Sequence, residues 1–208
     1  MSNHRYAGKL PTAPWRGAMS LPRELSLRHT AGGLRLVQRP VAALGPLRGE
    51  CTAVAPMRLQ QQQQALPVQG QALALQFSIE SLDAGEAGVA VLCGDGQRTL
   101  VGYNADQGTV FIDRSLSGAV PEGDALFAGR RQAPVSPPAP GRALQLQVWV
   151  DAGSVELFAD NGLAVITEVV LPGPNATGVV AYAQGGTAVF GALQAWPVAA
   201  CMDTSNAA

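Results

Sequence analysis

The sequence predicts an all-β fold whose main body is a two-sheet antiparallel β-sandwich. Three observations carry this. Apolar residues alternate with polar ones over most of residues 65–198, as in Leu73, Leu75, Phe77 and Ile79 against Ala74, Gln76, Ser78 and Glu80. Short alternating runs are joined by Gly, Asn and Asp turns such as Gly94-Asp95-Gly96 and Asp160-Asn161-Gly162. No segment shows a convincing helical period, and 24 glycines and 15 prolines keep the chain turn-rich. Two antiparallel sheets would bury their alternating apolar faces against each other.

Residues 1–30 read as two extended pieces around turns, because Pro11, Pro14 and Pro22 would break a helix. Residues 31–64 read as a linker. Gly32-Gly33 turns into the short strand Leu34-Arg35-Leu36-Val37, and Gln60 to Gln64 form a low-complexity, solvated spacer. The sandwich then opens with the strand around Leu73–Ile79. Val89 to Cys93 runs into the Gly94-Asp95-Gly96 hairpin, with Arg98 to Tyr103 as its partner. Thr109 to Asp113 follows Gly108. Residues 116–142 read as a long irregular loop in which Pro134, Pro137, Pro138 and Pro140 prevent regular pairing. Leu144 to Val150, Ser154 to Phe158, Leu163 to Leu171, Gly178 to Ala183 and Ala188 to Trp196 complete the strands, and residues 199–208 read as a disordered tail.

Composition narrows the chemistry. The chain is 208 residues long, 47% hydrophobic and 14% charged, against a usual charged share of about 25%, so it can fill a core and is not disordered. A net charge of −1 with no basic cluster excludes nucleic acid as the expected partner. No apolar run reaches membrane-spanning length, and Met1 to Arg16 carries no apolar stretch of signal length. The compartment is left open. Cys51, Cys93 and Cys201 are far apart and read as three separate thiols, two of them buried in strands. With no CxxC and only His4 and His29, neither a metal site nor a cofactor is expected.

Several segments carry a resemblance. Tyr6-Ala7-Gly8-Lys9-Leu10-Pro11 through Pro14-Trp15-Arg16-Gly17-Ala18-Met19 to Glu24-Leu25-Ser26-Leu27 resembles the stretch that closes the catalytic propeller of glycoside hydrolase family 32, the β-fructosidases. Phe111-Ile112-Asp113-Arg114-Ser115, Ser154-Val155-Glu156-Leu157-Phe158, Asp160-Asn161-Gly162 and Ile166-Thr167 resemble, in order, segments of the β-sandwich that follows that propeller. The resemblance implies that residues 1–30 are a remnant of the last blade of a five-bladed β-propeller. It implies fructan or sucrose as the substrate of an intact parent. It makes the absent propeller, or a second copy in a homodimer, the expected partner.

Retaining glycosidases need a nucleophile and an acid/base carboxyl roughly 5 Å apart. The family's Asn-Asp-Pro-Asn and Arg-Asp-Pro motifs do not occur here. Glu50-Cys51 mimics its Glu-Cys acid/base motif but follows the Pro-Trp-Arg segment, where the family's precedes it, and reads as coincidence. No catalytic residue is therefore assigned and the chain alone is expected to be inactive. The alternative is a free-standing fructan-binding module.

Candidate sugar contacts are His4, which stands where the family often has Trp, together with Tyr6, Trp15 and Trp149. Each has a plainer reading. Trp15 would pack between propeller strands. Trp149 would either stand partly exposed between glutamines, where it could stack on a sugar, or lie packed under the 116–142 loop. Asp113 and Arg114 read chiefly as an ion pair near a strand end. Asn175-Ala176-Thr177 is a glycosylation sequon, relevant only in a eukaryotic secretory pathway.

Overall fold

The computed structural model describes residues 7–10, 18–30, 32–83, 85–121 and 126–200. Sixteen strands are assigned among them. The first two, β1 (Arg23–Thr30) and β2 (Gly33–Pro40), pair only with each other. Then come β3 (Thr52–Val54), β4 (Met57–Gln60), β5 (Gln63–Gln69), β6 (Leu73–Asp83), β7 (Glu86–Gly94), β8 (Gln97–Asn104), β9 (Thr109–Leu116) and β10 (Arg130–Pro134). The last are β11 (Leu144–Asp151), β12 (Ser154–Ala159), β13 (Ala164–Val169), β14 (Gly178–Gln184), β15 (Thr187–Phe190) and β16 (Leu193–Pro197).

Two antiparallel sheets face each other. One has the order β10-β9-β8-β7-β14-β5, and the other β13-β12-β11-β6-β15-β4. The long strand β6 holds two neighbours on one side: β16 pairs along Leu73–Gln76 and β15 along Ile79–Asp83. Strand β3 extends β16 outward. Between the sheets lies one continuous core in which Leu75, Ile79, Val89, Val101, Ile112, Val148 and Leu157 are fully buried. The period-two reading of β6 is thus realised, with Leu73, Leu75, Phe77 and Ile79 inward. The β7–β8 turn has φ of 51° at Asp95 and 76° at Gly96, the left-handed pair that lets a two-residue turn follow the twist of its strands.

Three sequence expectations are corrected. Residues 31–64 are not a linker, because they contain β2, β3, β4 and the start of β5. The glutamine run is the crossover between the two sheets. Gln60 ends β4 in one sheet, Gln61 turns the corner at φ 47°, and Gln63 and Gln64 pair with Tyr182 and Ala181 of the other. Backbone pairing is indifferent to side-chain monotony, so an edge strand can be built from glutamines whose amides stay in water.

The 116–142 segment is not wholly irregular. Within it β10 pairs with β9 from Arg130↔Asp113 to Pro134↔Thr109. This strand is the edge of its sheet, where a proline needs no N–H for an outer neighbour. The cysteines also differ from expectation. Cys51 is exposed outside any strand and Cys93 is half-buried in β7, where burial pushes its thiol up from its ordinary value. Cys201 lies outside the described residues.

Candidate functional site: the seam between hairpin and sandwich

The outward face of the β13-β12-β11-β6-β16 sheet carries one register row reading Thr167, Glu156, Trp149, Ala74 and Trp196. Residues of the 18–48 segment lie on this row. Glu156 is 2% exposed and would be costly there without partners. It has three. Leu21 N–H donates to Oε1 at 2.6 Å, Arg23 Nη2 to Oε2 at 2.6 Å, and Thr167 Oγ1 to Oε2 at 2.9 Å. Arg23 also donates to Gln38 Oε1 at 3.0 Å across the hairpin and stacks 5.2 Å from the Phe158 ring centroid.

A second clamp lies further along the row. The Arg48 guanidinium sits 4.8 Å from the Trp149 ring and 4.5 Å from the Trp196 ring, with Ala74 between them in the register. The small Ala74, fully buried, leaves the gap into which the cation fits. Leu21, Leu44 and Val198 complete this cluster. Trp149 is therefore 5% exposed, covered by residues from 21–48 and not by the 116–142 loop.

A third contact fixes the hairpin's near end. Arg39 Nε donates to the Asn161 carbonyl at 3.1 Å. Asn161 and Gly162 have φ of 57° and 92°, and a Cβ on Gly162 would stand 2.2 Å from the Gln38 carbonyl oxygen. Only glycine admits this approach. The Val-Glu-Leu-Phe, Asp-Asn-Gly and Ile-Thr segments, scattered as sequence motifs, thus converge on the seat of β1–β2. Residues 21–23 are thereby anchored on the sandwich.

The Asp-Arg-Ser segment does a separate task between the two sheets. Arg114 is 2% exposed and its Nη2 lies 2.8 Å from Glu168 Oε2, while Nη1 donates to the Val169 carbonyl at 2.8 Å. Its guanidinium stacks 4.4 Å from the Phe127 ring, which also contacts buried Leu10. Arg114 does not pair with Asp113 as expected: its pair with Glu168 is buried and joins β9 to β13 between sheets, so the small contribution of an exposed pair does not apply. Asp113 pairs instead with Arg130, whose Nε donates to Oδ2 at 3.1 Å. Burial alone would raise the Asp113 pKa. Hydrogen bonds from Ser115 and Arg130, with the Arg130 charge, outweigh it and hold the carboxyl below its ordinary value. Arg130 also bonds Glu86, so this cation serves both carboxylates. The Tyr182 hydroxyl is buried without a hydrogen-bond partner among the described residues, and burial pushes its pKa far up.

Among the described residues the buried carboxylates Glu156 and Glu168 are ion-paired, and no group of His, Cys, Asp and Glu could hold a metal. Glu50 is exposed. No described helix is long and apolar enough to cross a membrane. His4, Tyr6 and Trp15 lie outside the described residues, so of the four sugar-contact candidates only Trp149 is placed. Sequence reasoning missed Arg23, Arg48 and Trp196. The pairing of Trp196 with Trp149 across Ala74 was available only through strand register.

Comparison with known proteins fits this geometry. Residues 46–197 match the family model for the C-terminal domain of glycosyl hydrolases family 32. A levanase from Bacillus sp. (strain L7) is 35% identical over 93% of this chain, and one from Bacillus subtilis (strain 168) is 35% identical over 89%. The chain spans 21% and 28% of those two proteins' lengths. The crystal structure of exo-inulinase from Aspergillus awamori superposes with a TM-score of 0.84 at 26% identity, over 94% of this chain and 38% of that one. Fructan 1-exohydrolase IIa from Cichorium intybus shares the fold, with a TM-score of 0.70 at 14% identity over 84% of this chain and 40% of that one. The chain belongs to glycosyl hydrolase family 32, of which it carries the C-terminal sandwich.

Proposed function

We propose that this chain is the C-terminal part of a β-fructosidase, acting on levan, inulin or sucrose through a catalytic propeller that this chain does not supply. Its sandwich supports and orients that propeller and shapes access to the substrate. By itself it does not hydrolyse fructans. The observation that carries this reading is the apolar face of the hairpin. Leu25, Leu27, Leu34 and Leu36 are 62%, 66%, 55% and 46% exposed on a two-stranded sheet whose near end is bolted to the sandwich. A hairpin on its own is marginal in water. A leucine face whose two edges are unpaired among the described residues fits the last strands of a larger sheet, the propeller remnant that the resemblance implies. The levanase and inulinase relatives support the substrate class.

The test uses the purified chain alone and mixed with the catalytic portion of the Bacillus subtilis levanase produced without its own C-terminal part. No fructose release from levan, inulin or sucrose is expected from the chain alone, and a one-to-one complex is expected by light scattering. Fructose release by the chain alone, or failure to associate, would overturn the reading.

The alternative, a fructan-binding module, is favoured by a different surface, on which the next inference rests.

A further inference from the structure

Beside the Trp149–Ala74–Trp196 row on the same outer face runs a second one. Strand register aligns Gln147 with Gln76 and Gln76 with Gln194, on β11, β6 and β16. Gln145 and Ser78 form the next pair along. With strands about 4.8 Å apart, the three amides in line span about 10 Å. Residues 18–48 cover the tryptophan row but stop there, so Arg48 and Leu44 stand as a step beside an open amide floor. Gln76, Gln145 and Gln194 are exposed, and their side chains make no hydrogen bond with the described residues.

Gln147 is different. Assigning its amide with the oxygen toward the step lets that oxygen accept from Trp149 Nε1 at 3.1 Å and from Arg48 Nη2 at 2.7 Å. Those two bonds fix the amide plane and turn the NH2 group away from the step. Trp196, half-exposed at the end of the step, presents indole surface next to Gln194.

We propose that this ledge is a binding site for a neutral oligosaccharide, with fructo-oligosaccharides as the ligand class; that choice of sugar rests on the family reading above. The amides themselves carry no formal charge, and the charges that border them are of opposite sign, Arg48 at the step and Glu80 beyond Ser78 on the same face of β6, which favours a neutral occupant. Each primary amide offers a donor and an acceptor on one planar head, matching the paired donor and acceptor of a vicinal diol. An indole edge at the step supplies the apolar contact that sugar rings use alongside hydrogen bonds. The length of the row fits two or three sugar units. Solvated amides must be ordered on binding, so the affinity is weak, on the order of millimolar.

The experiment titrates the full chain with short levan and inulin oligosaccharides, followed by isothermal calorimetry and by chemical shifts of the glutamine side-chain amides. Cello-oligosaccharide serves as the control. The comparison variant is the double substitution Gln76→Ala with Gln194→Ala, whose exposed positions leave the fold intact, verified by an unchanged melting midpoint. Saturable fructo-oligosaccharide binding that weakens about tenfold or more in the double variant is the expected result. No binding, binding unchanged in the variant, or equal binding of the cello-oligosaccharide overturns the ledge. None of these outcomes bears on association with the levanase catalytic portion, so the two readings fail separately.

Discussion

Two sheet faces in this molecule are lined with leucines and meet different fates. On β6 and β11, Leu73, Leu75, Leu144 and Leu146 are at most 1% exposed, each covered by the opposing sheet. On β1 and β2, Leu25, Leu27, Leu34 and Leu36 remain roughly half exposed or more. Fully burying a leucine stabilises by roughly 1.5–3 kcal/mol. The sandwich collects that energy internally. The hairpin forgoes most of it and is held instead by Glu156, Arg23, Arg39 and the Asn161-Gly162 turn. A region whose position is fixed by polar contacts while its apolar face stays open supports the proposed docking onto a catalytic propeller.

If the two regions are independent in this way, breaking the sandwich's buried ion pair should have the largest effect. Arg114→Ala removes the 2.8 Å pair of Glu168, 8% exposed, leaves that carboxylate its longer 3.7 Å pair with Arg131, and strips the stack on Phe127. The expected loss is about 3–5 kcal/mol, read as a lower denaturant midpoint for the whole fold. A loss confined to amides near residues 10 and 127 would show that the pair serves only the local segment.

Glu156→Ala probes the other region. It removes the acceptor of Leu21 N–H, Arg23 and Thr167 at once. Since Arg23 keeps 18% of its side chain in water, the cost is nearer a set of charged hydrogen bonds, about 1.5–3 kcal/mol. Hydrogen exchange should show β1 and β2 losing protection while β6 and β11 keep theirs. Equal loss in both would mean that hairpin and sandwich unfold as one unit. Gly162→Ala attacks the same seat from the backbone, with a Cβ 2.2 Å from the Gln38 oxygen at φ 92°. About 1–3 kcal/mol of strain is expected, again confined to the hairpin by exchange.

The pattern of success in reading the sequence follows the same division. Strands with one face in the core announce themselves by alternation, as Leu73 to Ile79 does. The DG turn at Asp95-Gly96 announces itself by backbone chemistry. The glutamine strand β5 did not, because only Leu66 and Val68 of its seven residues pack inward. Strand β10 hid behind its prolines, which an edge tolerates. The seam was visible only as family motifs without roles. What Glu156 or Gly162 does depends on residues more than a hundred positions away, and no local pattern encodes that distance.

A smaller effect is expected from acid. Asp113 has its pKa lowered in the fold by its bonds to Ser115 and Arg130, so it contributes stability that is fully present above its ordinary value of 3.8 and is lost as pH falls through the lower folded value. The denaturant midpoint should therefore drop below about pH 4, and Asp113→Asn should flatten that part of the profile. A profile unchanged by the substitution would place the acid sensitivity elsewhere.

The smallest change in stability should come from the residues that matter most to the comparison. Leu27 and Leu36 face each other across the hairpin and are 66% and 46% exposed. Replacing both with Ser removes little buried area, so the midpoint should move by no more than about 0.5 kcal/mol. If the leucine face exists to be covered, the same variant should fail to bind the levanase catalytic portion and should aggregate less when concentrated alone. A sheet edge beside an apolar face is the surface on which both kinds of association begin. If the variant instead binds the catalytic portion as the parent chain does, the leucines are not the contact. The open face of the hairpin would then be an incidental feature of two strands held in place for their polar seam.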